Sequence, residues 1–149
     1  MQKKIKLLDG SLSYPLEKKG YNLNKKLWTG DALINDPNAI KKVHKDYLAA
    51  GVDFISTSTY QLSYKVLKEM GYNVNDIKDI FKRSVNLVEQ AIEETNTTRK
   101  IKIVGSYGPY GAFLADGSEF TGKYNTSDEI IMDYHRAVSY THLTLPTKA

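Results

Sequence analysis

Three short runs rich in branched apolar residues, KIKLL at 4–8, VDFISTST at 52–59 and IKIV at 101–104, are separated by long stretches with helical spacing. That alternation constrains the fold more than any other feature. Strands joined through helices rather than tight hairpin turns pair in parallel, and such sheets carry helices on their faces. In α/β folds of this kind ligands sit at the carboxyl ends of the strands. Three segments fall there: Asp9-Gly10-Ser11, Ser56 to Gln61, and Ser106 to Gly117. All are polar, glycine-rich or tyrosine-rich, as a shared site at one rim requires.

The elements between the strands announce their own ends. Asp9-Gly10 closes the first strand with a turn signal. Trp28-Thr29-Gly30 introduces a short helix that ends before Asp36-Pro37. Asp36 is placed to cap the next helix, with Pro37 at the first position, where a missing N–H costs nothing. Ile40, Val43, Tyr47 and Leu48 form one apolar face of that helix, and Gly51 stops it. A further helix is expected from about Ser63 to Met70, broken at Gly71. A longer one follows from near Asp76, burying Ile77, Ile80, Phe81, Val88 and Ile92. Asn96-Thr97-Thr98 turns the chain into the third strand. A long loop, SYGPYGAFLADGSEF, then leads to a last helix opened by a capping box of Thr126 and Glu129.

Composition narrows the class. The 149 residues suffice for one core, and the 41% hydrophobic fraction favours neither disorder nor a membrane protein. No run approaches the roughly 18 apolar residues of a membrane span, and Met1 to Leu8 lacks a signal-peptide core. The chain reads as soluble and cytoplasmic. With no cysteine it has no disulfide, no thiolate nucleophile and no cysteine-based metal site. The net charge of +4 comes from lysines interleaved with apolar residues across several elements, which reads as solvated faces rather than a nucleic-acid surface.

There is no P-loop, GxGxxG, HExxH or GxSxG motif. On residue chemistry alone the chain offers the rim of an α/β barrel or doubly wound sheet with an unnamed ligand. Asp9 reads as a general base, a partner for a cation or a turn residue. His44, between lysines, reads as a surface residue, and neither it nor His135 has a partner at metal-ligand spacing.

Taken together, LLDGSLSYPLEKKGYNLNKKLW, DPNAIKKVHKDYLAAGVDFISTSTYQ and VGSYGPYGAFLADGSEFTGKY resemble the homocysteine S-methyltransferases, in the branch that uses S-methylmethionine or S-adenosylmethionine. The resemblance runs in order from about residue 5 to residue 136. One departure is Ser11, where the family usually has glycine or alanine. The resemblance implies a (β/α)8 TIM barrel, a fold of ~250 residues and at least ~200. Residues 1–136 would then be its N-terminal portion, with about three strands and their helices.

In the family, zinc held by three cysteines of later strands binds the homocysteine sulfur. The thiolate then attacks the methyl group of a sulfonium donor, giving methionine. No zinc is expected on this chain, and the fragment is expected to be inactive alone. By position, Asp9 and Gly10 match the homocysteine motif, Thr59 and Tyr60 the second-strand rim, and Gly108, Pro109 and Tyr110 the loop bordering the donor site. A ring at Tyr60 suits a sulfonium, since a ring face attracts a cation by about 0.5–2 kcal/mol. Tyr110 and Phe113 read equally as loop packing, and Asp116-Gly117 as a plain turn.

The ending AVSYTHLTLPTKA resembles no part of that barrel. VSYTHLTLPT matches one reading frame of a sequencing-adapter sequence, so 137–149 are expected to be a non-native read-through tail. The alternative for the whole chain is a small non-catalytic α/β ligand-binding module.

Overall fold

The structure, a computed structural model, describes residues 5–25 and 27–143, with the backbone alone at 138 and 140–143. Lys4 of the expected first strand and residues 144–149 of the expected tail lie outside the described residues.

Two strands, β1 (Phe54–Ser56) and β2 (Lys102–Val104), pair in parallel with Ile55 opposite Ile103. The first expected strand is reduced to a single parallel bridge between Leu8 and Phe54. It is nonetheless fastened at several points. Phe54 N–H donates to Leu7 O at 3.0 Å, Asp9 N–H donates to Phe54 O at 3.0 Å, and the Asp53 carboxylate accepts from Leu7 N–H at 3.0 Å. This segment pairs with β1 alone and leaves Ile5, Leu7 and Leu8 exposed, which is why regular ladder geometry does not extend along it. The spatial order is therefore 5–9, β1, β2, all parallel.

Helices α1 (Ser13–Lys18), α2 (Thr29–Asn35) and α3 (Pro37–Ala50) precede β1. As the sequence predicts, the Asp36 carboxylate accepts from Ala39 N–H at 3.2 Å, Pro37 opens α3, and Gly51 at φ 99° ends it. Helices α4 (Tyr64–Glu69) and α5 (Val74–Thr95) join β1 to β2. The Ser63 hydroxyl caps α4, and Asn73 with Asp76 forms a reciprocal capping box for α5. After β2 come α6 (Tyr110–Leu114), a 3-10 turn at Ser118–Phe120, and α7 (Asp128–Leu143). The stretch expected as one long loop thus holds two short helical turns. The last helix starts one residue past the position that Thr126 would cap, and it continues through 137–143.

The core has two parts. Leu16, Leu33, Ile40, Leu62, Leu67 and Phe81 pack where α1 to α5 meet, and Leu48, Val52, Ile55, Val88 and Ala91 join α3 and α5 to β1. One expectation is overturned here: His44 is not on the surface. At 0% exposure it lies on the inner face of α3, one residue after Val43 and four before Leu48. The flanking lysines misled because a helix turns each successive residue by about 100°, so its neighbours in sequence look outward. Among the described residues, no helix is long and apolar enough to cross a membrane.

Candidate functional site

A cleft of about 330 Å³ opens at the carboxyl ends of the parallel strands, the rim that the strand alternation points to. Its floor is Asp9. The Asp9 carboxylate accepts from Ser56 N–H at 2.9 Å and from the Ser56 hydroxyl at 2.8 Å, which locks the 9–13 turn to the end of β1. Tyr47 steadies the same turn from α3, its hydroxyl donating to Ser11 O at 2.8 Å.

The STST sequence at the end of β1 takes part in a closed hydroxyl circuit. Ser106 N–H donates to Thr57 Oγ1 at 2.9 Å, and Thr59 Oγ1 donates to Ser106 O at 2.8 Å. With both of those protons assigned, the 2.9 Å contact between the two threonines has Thr57 donating to Thr59. The circuit ties the rim of β1 to the rim of β2. Ser58 lies between them, 2% exposed and lining the cleft, and its hydroxyl has no partner among the described residues. Such a group is one that a ligand in the cleft would satisfy.

Two aromatic residues line the opening. Tyr60 is 37% exposed, and burial first, then the Glu119 charge, raises its phenol above the usual value. Trp28 is 39% exposed and takes φ 46°, a backbone region rare for a bulky side chain. The turn around it is braced by Asp31, whose carboxylate accepts from the Tyr21 hydroxyl, from Lys25 Nζ at 2.6 Å and from Asn35 at 2.9 Å.

Of the residues that the sequence singled out, Asp9, Gly10 and Tyr60 line the cleft together. Thr59 stands behind it in the hydroxyl circuit. Gly108 and Pro109 are also behind it, and Gly108 is there for close approach: a Cβ at 108 would stand 2.0 Å from the Tyr60 carbonyl oxygen. Tyr110 is buried in an aromatic nest with Phe113, Tyr124 and Tyr134, at ring separations of 5.3–5.6 Å. Trp28 and Glu119 are cleft residues outside the three rim segments expected from the sequence, and Ser58 fell inside the Ser56 to Gln61 segment without being singled out. A serine run and an isolated tryptophan carry no spacing signal, and Glu119 is brought in only by the 3-10 turn.

The model of the homocysteine S-methyltransferase family matches residues 6–143. The chain belongs to the homocysteine S-methyltransferase family. It is similar to homocysteine S-methyltransferase YbgG of Bacillus subtilis (strain 168), 39% identical over 137 residues, covering 87% of this chain and 44% of the relative. It is also similar to selenocysteine Se-methyltransferase of Brassica oleracea var. italica, 35% identical over 144 residues, covering 87% and 42%. The metallated form of the homocysteine methyltransferase MmuM from Escherichia coli superposes with a TM-score of 0.85 at 35% identity, over 95% of this chain and 51% of that one. The fold described above is thus part of a (β/α)8 TIM barrel, and the chain spans less than half the length of the curated relatives it matches.

The family implies zinc, and the residues present do not fit it. The sequence has no cysteine, and among the described residues no three of His, Asp or Glu are grouped to hold a metal ion.

Proposed function

We propose that this chain forms the substrate-binding rim of an enzyme that moves a methyl group from a sulfonium donor, S-methylmethionine or S-adenosylmethionine, to homocysteine, giving methionine. The carrying observation is the cleft itself. It lies at the strand ends, with Asp9 held by two hydrogen bonds at the floor, an unpartnered Ser58 hydroxyl, and two rings at the mouth. In the transfer, homocysteine gives up its thiol proton to solvent, a lone pair of the resulting thiolate forms the new bond to the methyl carbon, and the old bonding pair stays on the donor sulfur, which becomes a neutral thioether. Within that scheme Asp9 positions the amino acid, and Trp28 and Tyr60 cover the reacting sulfur atoms from water. Zinc ligation falls to residues outside this chain, so the chain alone binds substrate without turning it over. As an enzyme of amino-acid metabolism it works in the cytoplasm.

Trp28 is the only tryptophan in the sequence and lines the cleft, so its fluorescence reports occupancy directly. Homocysteine is expected to shift that emission saturably, and serine is not. Asp9→Asn is expected to weaken homocysteine at least tenfold. A flat titration with homocysteine contradicts the proposal.

A further inference from the structure

One residue of the site has a charge and no assigned work. The segment Ala115-Asp116-Gly117 reverses the chain after α6. Ala115 and Gly117 both take positive φ, and the Asp116 carboxylate accepts from Ser118 N–H at 2.9 Å. The 3-10 turn that follows lies against α6 at Gly111, where a Cβ would stand 2.4 Å from Glu119 N. This close approach sets Glu119, half-buried, into the wall of the cleft. Among the described residues, no hydrogen bond or ion pair reaches its carboxylate, whereas the carboxylates of Asp9, Asp31 and Asp53 are all engaged.

The surroundings of Glu119 are also selective in charge. The chain has 21 lysines and arginines, yet no cationic side chain of the described residues lines this cleft. Its charged groups are two carboxylates, Asp9 and Glu119, and its mouth carries the exposed rings of Trp28 and Tyr60. Among the described residues, a carboxylate that shares the cleft with two exposed rings and has no lysine or arginine beside it suits a cation that donates no hydrogen bonds. A trialkylsulfonium is such a cation.

Resting on the reading of the cleft given above, we infer that Glu119 is the counter-charge for the sulfonium of the methyl donor and sets the preference for the charged donor over its neutral thioether. The cation loses its charge as the methyl leaves. A fixed carboxylate therefore favours the bound donor over the transition state and over the demethylated product. Glu119 acts in donor affinity and product release, and it slows rather than speeds the methyl-transfer step itself.

The test uses the 149-residue chain and Trp28 fluorescence, with S-methylmethionine and methionine as probes. These two differ by one methyl and by the charge on sulfur. Glu119→Gln is expected to weaken S-methylmethionine about tenfold and leave methionine within twofold. Glu119→Asp is expected to retain most of the affinity, and homocysteine binding to Glu119→Gln is expected to be intact, showing that the cleft is still formed. Equal weakening of both probes would place the carboxylate on the α-amino group, and no weakening of either would leave it without this role. Both results overturn the inference while homocysteine binding keeps the cleft assignment standing. Failure of the unaltered chain to bind homocysteine and S-methylmethionine overturns both.

Discussion

His44 is fully buried on α3 with neither imidazole nitrogen partnered among the described residues, and burial lowers its pKa from 6.5 to about 4. The imidazole is therefore neutral in the fold at neutral pH, whereas in the unfolded chain it takes a proton below about 6.5. The unfolded state binds more protons between those values, so this contribution is complete above pH 6.5 and is lost as the pH falls toward 4. Between pH 7 and pH 5 it amounts to about 2 kcal/mol. Urea denaturation at the two pH values should show that loss in the unaltered chain and a clearly smaller one in His44→Leu. Equal pH dependence in both would contradict a buried neutral His44. At this scale the sequence was legible where a residue acts through its neighbours in the chain, as with Asp36 or Gly51. It was misleading where tertiary packing decides, as with His44 inside.

Helix α5 shows what an element's ends contribute. The Asn73 side chain accepts from Asn75 N–H at 2.9 Å and Asp76 N–H at 3.1 Å, while the Asp76 carboxylate accepts from Asn73 N–H at 3.1 Å. Replacing Asn73 with Ala removes two acceptor contacts from a 22-residue helix that both core clusters use, with an expected cost of about 1 kcal/mol. A urea midpoint unchanged by Asn73→Ala would contradict it. The sequence put the start of this helix near Asp76, because the apolar face begins at Ile77 and the cap precedes it. Long helices were legible from their periodic faces. The six residues of α1, the five of α6 and the 3-10 turn were not, since one or two turns carry too little periodicity and are held by tertiary contacts. The strands were placed correctly but drawn too long, because ladder length depends on a partner that a sequence does not show.

At the scale of the whole molecule, the parallel order of 5–9, β1 and β2 and the rim position of the cleft were both foreseen from the alternation of elements. The family followed from motifs matched in order. The composition of the cleft was only partly foreseen, since its walls come from five separated stretches, at 9–13, 28–29, 56–60, 106 and 119. As described, this part of a barrel leaves apolar side chains in solvent: Ile5 is 82% exposed, Leu8 59% and Phe120 86%. The chain is therefore expected to self-associate with rising concentration, and Leu8→Lys is expected to shift it toward monomer. Sedimentation that stays monomeric across the same range would contradict this.

The most direct measurement joins residues 1–136 of this chain to the remaining part of the Bacillus subtilis relative and follows the labelled methyl of S-methylmethionine in the presence of homocysteine. The account predicts labelled methionine from the joined protein, a large loss with Asp9→Asn, and none from the 149-residue chain alone. A folded, metal-loaded joined protein that forms no labelled methionine, or turnover by the chain alone, would contradict it.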